Sequence, residues 1–197
     1  EQFDKADGAE ILMRAGSLWG FHGQMEHIGN SQERSAELLG KARRMFIDLL
    51  DFEKVAECEN YLALSFSRLG GHRESEVWVE ESLSRKIPEM TDARIHAYLI
   101  KGMILKDRKK YSEAVKYFQS VKEKFWEFGD FYLLGSFCTN IGICYRNLNK
   151  LGDTLKFYKL AGEFHQKSGH LSYLGTIRNN LAYVYKLFDE MENAHAS

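Results

Sequence analysis

A small residue sits at the centre of the stretch Thr139-Asn140-Ile141-Gly142-Ile143-Cys144-Tyr145-Arg146, and it returns at a nearly constant interval. Ala63, Gly102, Gly142 and Ala182 are separated by 39, 40 and 40 residues, and a weaker copy centred on Gly23 lies a further 40 upstream. An interval of that size marks a repeat architecture, in which each unit buries its apolar face only against its neighbours. One unit therefore predicts the rest.

Within a unit the pattern is helical. Pro88 is the only proline and no stretch alternates apolar and polar residues as a strand would, so the expected class is all-α. Breaks fall at Gly29-Asn30-Ser31, Leu50-Asp51, Gly70-Gly71, Pro88 to Asp92, Arg108 to Lys110, Gly129-Asp130, Asn147 to Lys150 and Ser168-Gly169-His170. Ser31, Asp51, Asp92 and Asp130 stand where a helix N-cap would offer a side-chain oxygen to unpaired amides. These breaks predict one continuous domain over 1–197, with units at 9–50, 52–91, 92–129, 130–169 and an incomplete one at 171–197. Each complete unit is read as two antiparallel helices of roughly 15 to 18 residues joined by a tight turn.

Counting from the central small residue assigns the buried faces. Position +3 carries Phe66, Leu105, Tyr145 and Tyr185, and position −1 carries Leu62, Ile141 and Leu181, with Lys101 the exception. At about 100° per residue these define one arc. In the second helix +12 is small or short (Ser75, Ala114, Thr154, Ala194) and +16 is large (Val79, Phe118, Tyr158). Small opposite large lets paired helices approach closely without voids. A glycine inside a helix costs about 1 kcal/mol relative to alanine, so Gly23, Gly102 and Gly142 are read as packing glycines.

This pattern resembles the tetratricopeptide repeat family, whose units carry Gly or Ala, an aromatic three residues on, a small residue twelve on and an aromatic sixteen on. Gly142, Tyr145, Thr154, Tyr158 and Ala161 reproduce it, as do Gly102, Ala114 and Phe118, and the resemblance covers residues 9–194. The period of 40 exceeds the usual ~34, and the proline that normally closes each unit is missing. The long period is similar to that of a subgroup found in polarity adaptors, kinesin light chains and bacterial regulators such as peptide-pheromone receptors. The resemblance implies a right-handed superhelical stack of about 4.5 helix pairs.

Composition removes several functions. Basic and acidic residues nearly cancel, 27 against 28, so the positive field of a nucleic-acid binder is missing. No apolar run approaches the ~18 residues of a membrane span. Cys58, Cys138 and Cys144 fall inside predicted helices, and the last two are about 240° apart around theirs, so they are read as reduced core thiols of a cytoplasmic protein. The chain opens at Glu1 rather than Met, which leaves room for a signal or another domain ahead of it.

Catalytic and metal chemistry find no constellation. His22 and His27 are five apart, about 140° around a helix, and cannot share a metal as an HExxH pair does. Gly40-Lys41 lacks the flanking residues of a phosphate loop. The remaining histidines and carboxylates share no phase, so neither an enzyme nor a cofactor is expected. The aromatic run Phe125 to Tyr132 is read as inter-helix packing around a unit boundary, with an exposed binding patch as the alternative.

The informative face of each first helix is the one turned away from the buried arc, positions −6, −3, −2, +1 and +4. In tetratricopeptide proteins this face lines a concave groove. Position −2 reads Tyr61, Ile100, Asn140, Asn180; +1 reads Leu64, Met103, Ile143, Tyr183; +4 reads Ser67, Lys106, Arg146, Lys186. Asn140 and Asn180, with Asn60 one position out of phase, resemble the groove asparagines of the long-period adaptors, whose amides grip a ligand backbone. Met103, Ile143 and Tyr183 would form the floor, and Lys106, Arg146 and Lys186 a cationic column favouring an acidic segment. Two plainer readings stand beside this one: +1 packs on a neighbouring unit while the asparagines are solvated, and the cations complement helix C-termini. Position −6 holds Glu57, His96, Ser136 and Thr176, so the lysine clamp for a C-terminal carboxylate is missing.

The expected function is a non-enzymatic scaffold that binds an extended protein or peptide segment. The alternative is the ligand-sensing domain of a larger bacterial regulator. A third expectation is self-association through the C-terminal end, where Leu181, Tyr185 and Phe188 lack a covering helix because the second helix of the last unit has barely begun.

Overall fold

A computed structural model describes residues 4–195, with side chains to Phe188 apart from Gln24. Among the described residues all regular structure is α-helical: α1 Lys5–Met25, α2 Ser31–Asp48, α3 Phe52–Arg68, α4 His72–Ser84, α5 Asp92–Asp107, α6 Tyr111–Phe128, α7 Phe131–Asn147, α8 Leu151–Lys167 and α9 Leu171–His195. Two compact units divide the chain, Glu1–Ile104 and Leu105–Ser197.

In the first unit α1 packs on α2, α2 on α3 and α3 on α4. Leu39, Ala42 and Phe46 of α2 meet Val55, Cys58 and Leu62 of α3 in one core cluster, and Ala63, Val79, Ala97, Ile100 and Ile104 form a second. Glu59 is fully buried, held by Arg43 Nε at 2.8 Å and by Arg85 Nη2 at 2.6 Å. Arg43 lies over the Trp78 ring, so α2, α3 and α4 are tied by charge as well as by packing.

In the second unit α6 packs on α7, α7 on α8 and α8 on α9. Gly142 is where α7 and α8 come closest: a Cβ there would lie 2.7 Å from the ring of Tyr158, which is completely buried. The aromatic run is packing material, with Phe125 and Trp126 at 4.7 and 5.6 Å from the Phe137 ring and Phe131 stacked on Phe164. Val79 and Phe118, the other +16 residues, are also fully buried. The side chain of Ala194 lies outside those described.

The turns carry the repeat into the backbone. Asn30, Gly70, Lys109 and Asn149, each seven positions after a central small residue, all have positive φ. In three of them the next amide bonds the +3 carbonyl: Gly71 to Phe66, Lys110 to Leu105 and Lys150 to Tyr145, at 2.9 to 3.0 Å. This left-handed closure satisfies free carbonyls at the end of the first helix of each unit.

Several expectations need correction. Asp51 and Asp130 cap as predicted, accepting from the amides of Lys54 and Leu133. Ser31 does not cap, because it is already the first residue of α2 behind a left-handed Asn30. Asp92 lies inside α5, and Thr91 accepts from the Arg94 amide in its place. The loop around Pro88 is held by Arg94, buried, which donates to the carbonyls of Leu83 and Arg85. α9 does not turn after Phe188 but continues to His195, since no glycine or proline interrupts that stretch. Tyr185, predicted on the buried arc, is 46% exposed. Lys101, the exception at −1, reaches Glu80 at 2.7 Å.

Candidate functional site

The second unit joins several of the predicted groove residues. Lys106 Nζ donates to Asn140 Oδ1 at 2.9 Å, and Asn140 Nδ2 donates to the Ser136 carbonyl at 2.9 Å, so both ends of this amide are engaged. Asn140 is buried as a result, and Lys106 also pairs with Asp107 at 3.1 Å. The Arg146 guanidinium lies over the Tyr183 ring, 5.7 Å from its centroid, while Tyr183 remains half exposed. Ile143 and Asn180 are half-buried and Lys186 is exposed. The unit thus offers a cation held by an amide and a cation resting on an aromatic ring, with an apolar Ile143 on the same helix.

The first unit holds Asn60 and Met103. Met103 is half-buried. Asn60 Nδ2 donates to the Ala93 carbonyl at 2.8 Å, while its Oδ1 is buried with no partner among the described residues. Asn60, Tyr61, Leu64, His96 and Ile100 line a cavity of about 220 Å³, with Glu57 and Asp92 on its wall. Burial pushes the Glu57 carboxyl up; Lys54 opposes the shift, and Glu10 and Glu53 add to it. A larger depression of about 590 Å³ lies on α4, but it is open helix surface lined by Arg73, Glu76, Glu80 and Glu81 and encloses nothing.

His22 and His27 stay apart, His22 within α1 and His27 beyond its end at positive φ. Among the described residues no group of histidine, cysteine or carboxylate side chains is placed to hold a metal ion, and no helix is long and apolar enough to cross a membrane. The three thiols are buried and free. Lys41 of the Gly40-Lys41 pair is in an ion pair with Glu37 on the surface of α2.

What the sequence did not reveal is the pairing of Asn140 with Lys106 and the cavity beside Asn60. A −2 asparagine thirty-four residues from a +4 lysine was the available signal, since those two positions recur one unit apart.

No protein-family model and no curated protein matches this chain. Solved structures do. The apo form of RapI superposes with a TM-score of 0.68 at 22% identity, covering 91% of this chain and 50% of that one, so this chain spans half the length of RapI. BtubC (BKLC) from P. vanneervenii superposes with a TM-score of 0.65 at 17% identity, covering 99% of this chain and 88% of that one. Both are helical-repeat proteins, and the shared architecture is the all-α helical repeat described above.

Proposed function

We propose that this chain is a tetratricopeptide-like interaction module, without catalytic activity, that binds an extended acidic segment of a partner protein along the face carrying Lys106, Asn140, Arg146 and Tyr183. The observation that carries this reading is the pair of positioned cations, Lys106 on Asn140 and Arg146 over Tyr183. Asn180 and Lys186 belong to the same face by their phase, as Met103 does in the first unit, where Asn60 stands one position out of phase. A ligand backbone would compete for an amide that already serves Lys106 and the Ser136 carbonyl. The deciding experiment is selection of peptides from a random library, followed by titration of the strongest binder at two salt concentrations. Arg146→Ala and Lys186→Ala should weaken binding in a salt-dependent way, since rim charges act through long-range attraction. Asn140→Ala and Asn180→Ala should weaken it with little dependence on salt. Selected peptides without acidic bias, or binding that survives all four changes, would overturn the reading.

A second reading is the ligand-sensing part of a larger regulator; the chain spans half the length of RapI, with which it shares its fold. Sequencing the whole gene and finding no further domain would remove it. Self-association through the C-terminal end would use Leu181, Tyr185 and Phe188, of which Tyr185 is exposed while Leu181 and Phe188 are half-buried. A sedimentation coefficient independent of concentration would exclude that.

A further inference from the structure

The cavity beside Asn60 has a chemistry opposite to that of the cationic face. Leu64, Tyr61 and Ile100 give its lining an apolar part, and Glu57, Asp92 and His96 a titratable one. Glu57 is bonded by Lys54 at 3.0 Å, but Lys54 is shared with Glu10 at 3.5 Å, and Glu10 is also taken by Arg14. Glu10 and Glu57 thus share Lys54, Glu53 adds to the charge beside Glu57, and Asp92 stands in the same lining. A second observation is independent of charge. Asn60 is 4% exposed, lines this cavity, and keeps a buried carbonyl oxygen without a donor among the described residues. An acceptor left unpaired in a buried wall destabilises its surroundings until a donor meets it.

We infer that this cavity is a binding site for an alkylammonium or guanidinium group, carried on an aliphatic stem. The stem would lie on Leu64 and Ile100, the head would meet Glu57 and Asp92, and one of its N–H groups would face Asn60 Oδ1. At about 220 Å³ the space is below the usual small-molecule cleft of ~300 Å³ and upward, which suits one long side chain or a slender amine. Long cationic side chains bury their stems and keep the charged head at the polar rim, as this lining requires. Two sources supply that chemistry, a lysine or arginine side chain of a bound segment and a free aliphatic diamine. The inference shares Asn60 with the groove reading but uses nothing in the second unit, so the two fail separately.

The test is a titration of the whole chain, followed by backbone amide chemical shifts, with N-acetyl-lysine methylamide, 1,5-diaminopentane, and N-acetyl-glutamate methylamide as the anionic control. Saturable shifts over residues 57–64 and 92–100 are expected with one or both cations, and whichever gives them identifies the source. Asp92→Asn, at an exposed position, should weaken the effect about 5- to 10-fold, and Glu57→Gln should weaken it by at least as much. Absence of saturable shifts with both cations, equal shifts with the anionic control, or unchanged binding in Asp92→Asn overturns the inference. Asp92→Asn lies outside the core, so its result does not depend on whether Glu57→Gln folds.

Discussion

Tyr158 occupies the space that any side chain at position 142 would need: a Cβ on Gly142 would stand 2.7 Å from both Cδ1 and Cε1 of a ring with no exposed surface. The ring cannot swing into solvent, so the conflict would have to be relieved by separating α7 from α8.

Gly142→Leu is therefore expected to destabilise the protein by at least about 1 to 3 kcal/mol in chemical denaturation, despite leucine's better helix propensity. Gly152, in the first turn of α8, has nothing within 4 Å of its Cβ position. Gly152→Ala should do the reverse and stabilise by up to about 1 kcal/mol. If the two substitutions shift the midpoint in the same direction, the contact at Gly142 does not govern this pairing.

Glu59→Gln removes the charge that Arg43 and Arg85 share in the first unit. Breaking a buried ion pair from one side leaves the other charge uncompensated, and a loss of about 3 kcal/mol is expected. Glutamine keeps the shape and one acceptor, so a large loss isolates charge from packing. A change below about 0.5 kcal/mol, the scale of an exposed pair, would show that the arginines are served by water.

Burial, and to a smaller degree His170, hold the proton affinity of His165 below its ordinary value. Its ring is stacked on Tyr173 of α9 and faces Tyr132 and Thr139 of α7. The unfolded chain binds the proton more readily than the folded one, so this residue's contribution is complete above pH ~6.5 and is lost as pH falls through the lowered folded value. His165→Phe should flatten the decline in stability between neutral and mildly acidic pH. Identical slopes for wild type and variant in denaturation series over that range would contradict it.

Burial pushes the thiols of Cys58 and Cys138 up to about 12 and that of Cys144 up to about 11. The thiolate is the reactive form. Native protein at pH 8 should resist iodoacetamide, and denatured protein should take up three equivalents by mass spectrometry. Rapid labelling of any one thiol in the native state would mean that its helix opens.

The parts of this fold that could be read in advance are those written at fixed spacing along one chain. Gly142 and Tyr158 are sixteen apart in neighbouring helices, and volume complementarity needs only residue sizes to be recognised. Asp51 and Asp130 were legible because a cap bonds three residues ahead. Thr91 displaced Asp92 because helix starts shift by a residue without changing pattern. The left-handed Lys109 was hidden because lysine has no preference for that conformation, and only the turn's hydrogen bonds impose it. At the candidate site, phase placed Asn140 and Lys106 on one face, but not the bond between them. That bond depends on rotamers of two helices, which spacing does not encode. Glu59 escaped notice for a similar reason: its partners are 16 and 26 residues away, and glutamate is rarely buried.

Glu59 also gives α3 an identity that its apolar pattern does not. Helices built on one motif can dock against the wrong neighbour, because each presents nearly the same small and large residues. The position four before the central small residue reads Glu59, Tyr98, Cys138 and Arg178 in successive units. Only the first can neutralise Arg43 and Arg85, and Arg178 in that place would add a third positive charge. A mispaired helix would leave Arg43 without this carboxylate and Arg85 with only Glu81, so the buried Glu59 favours α3 over its sister helices in the slot between α2 and α4.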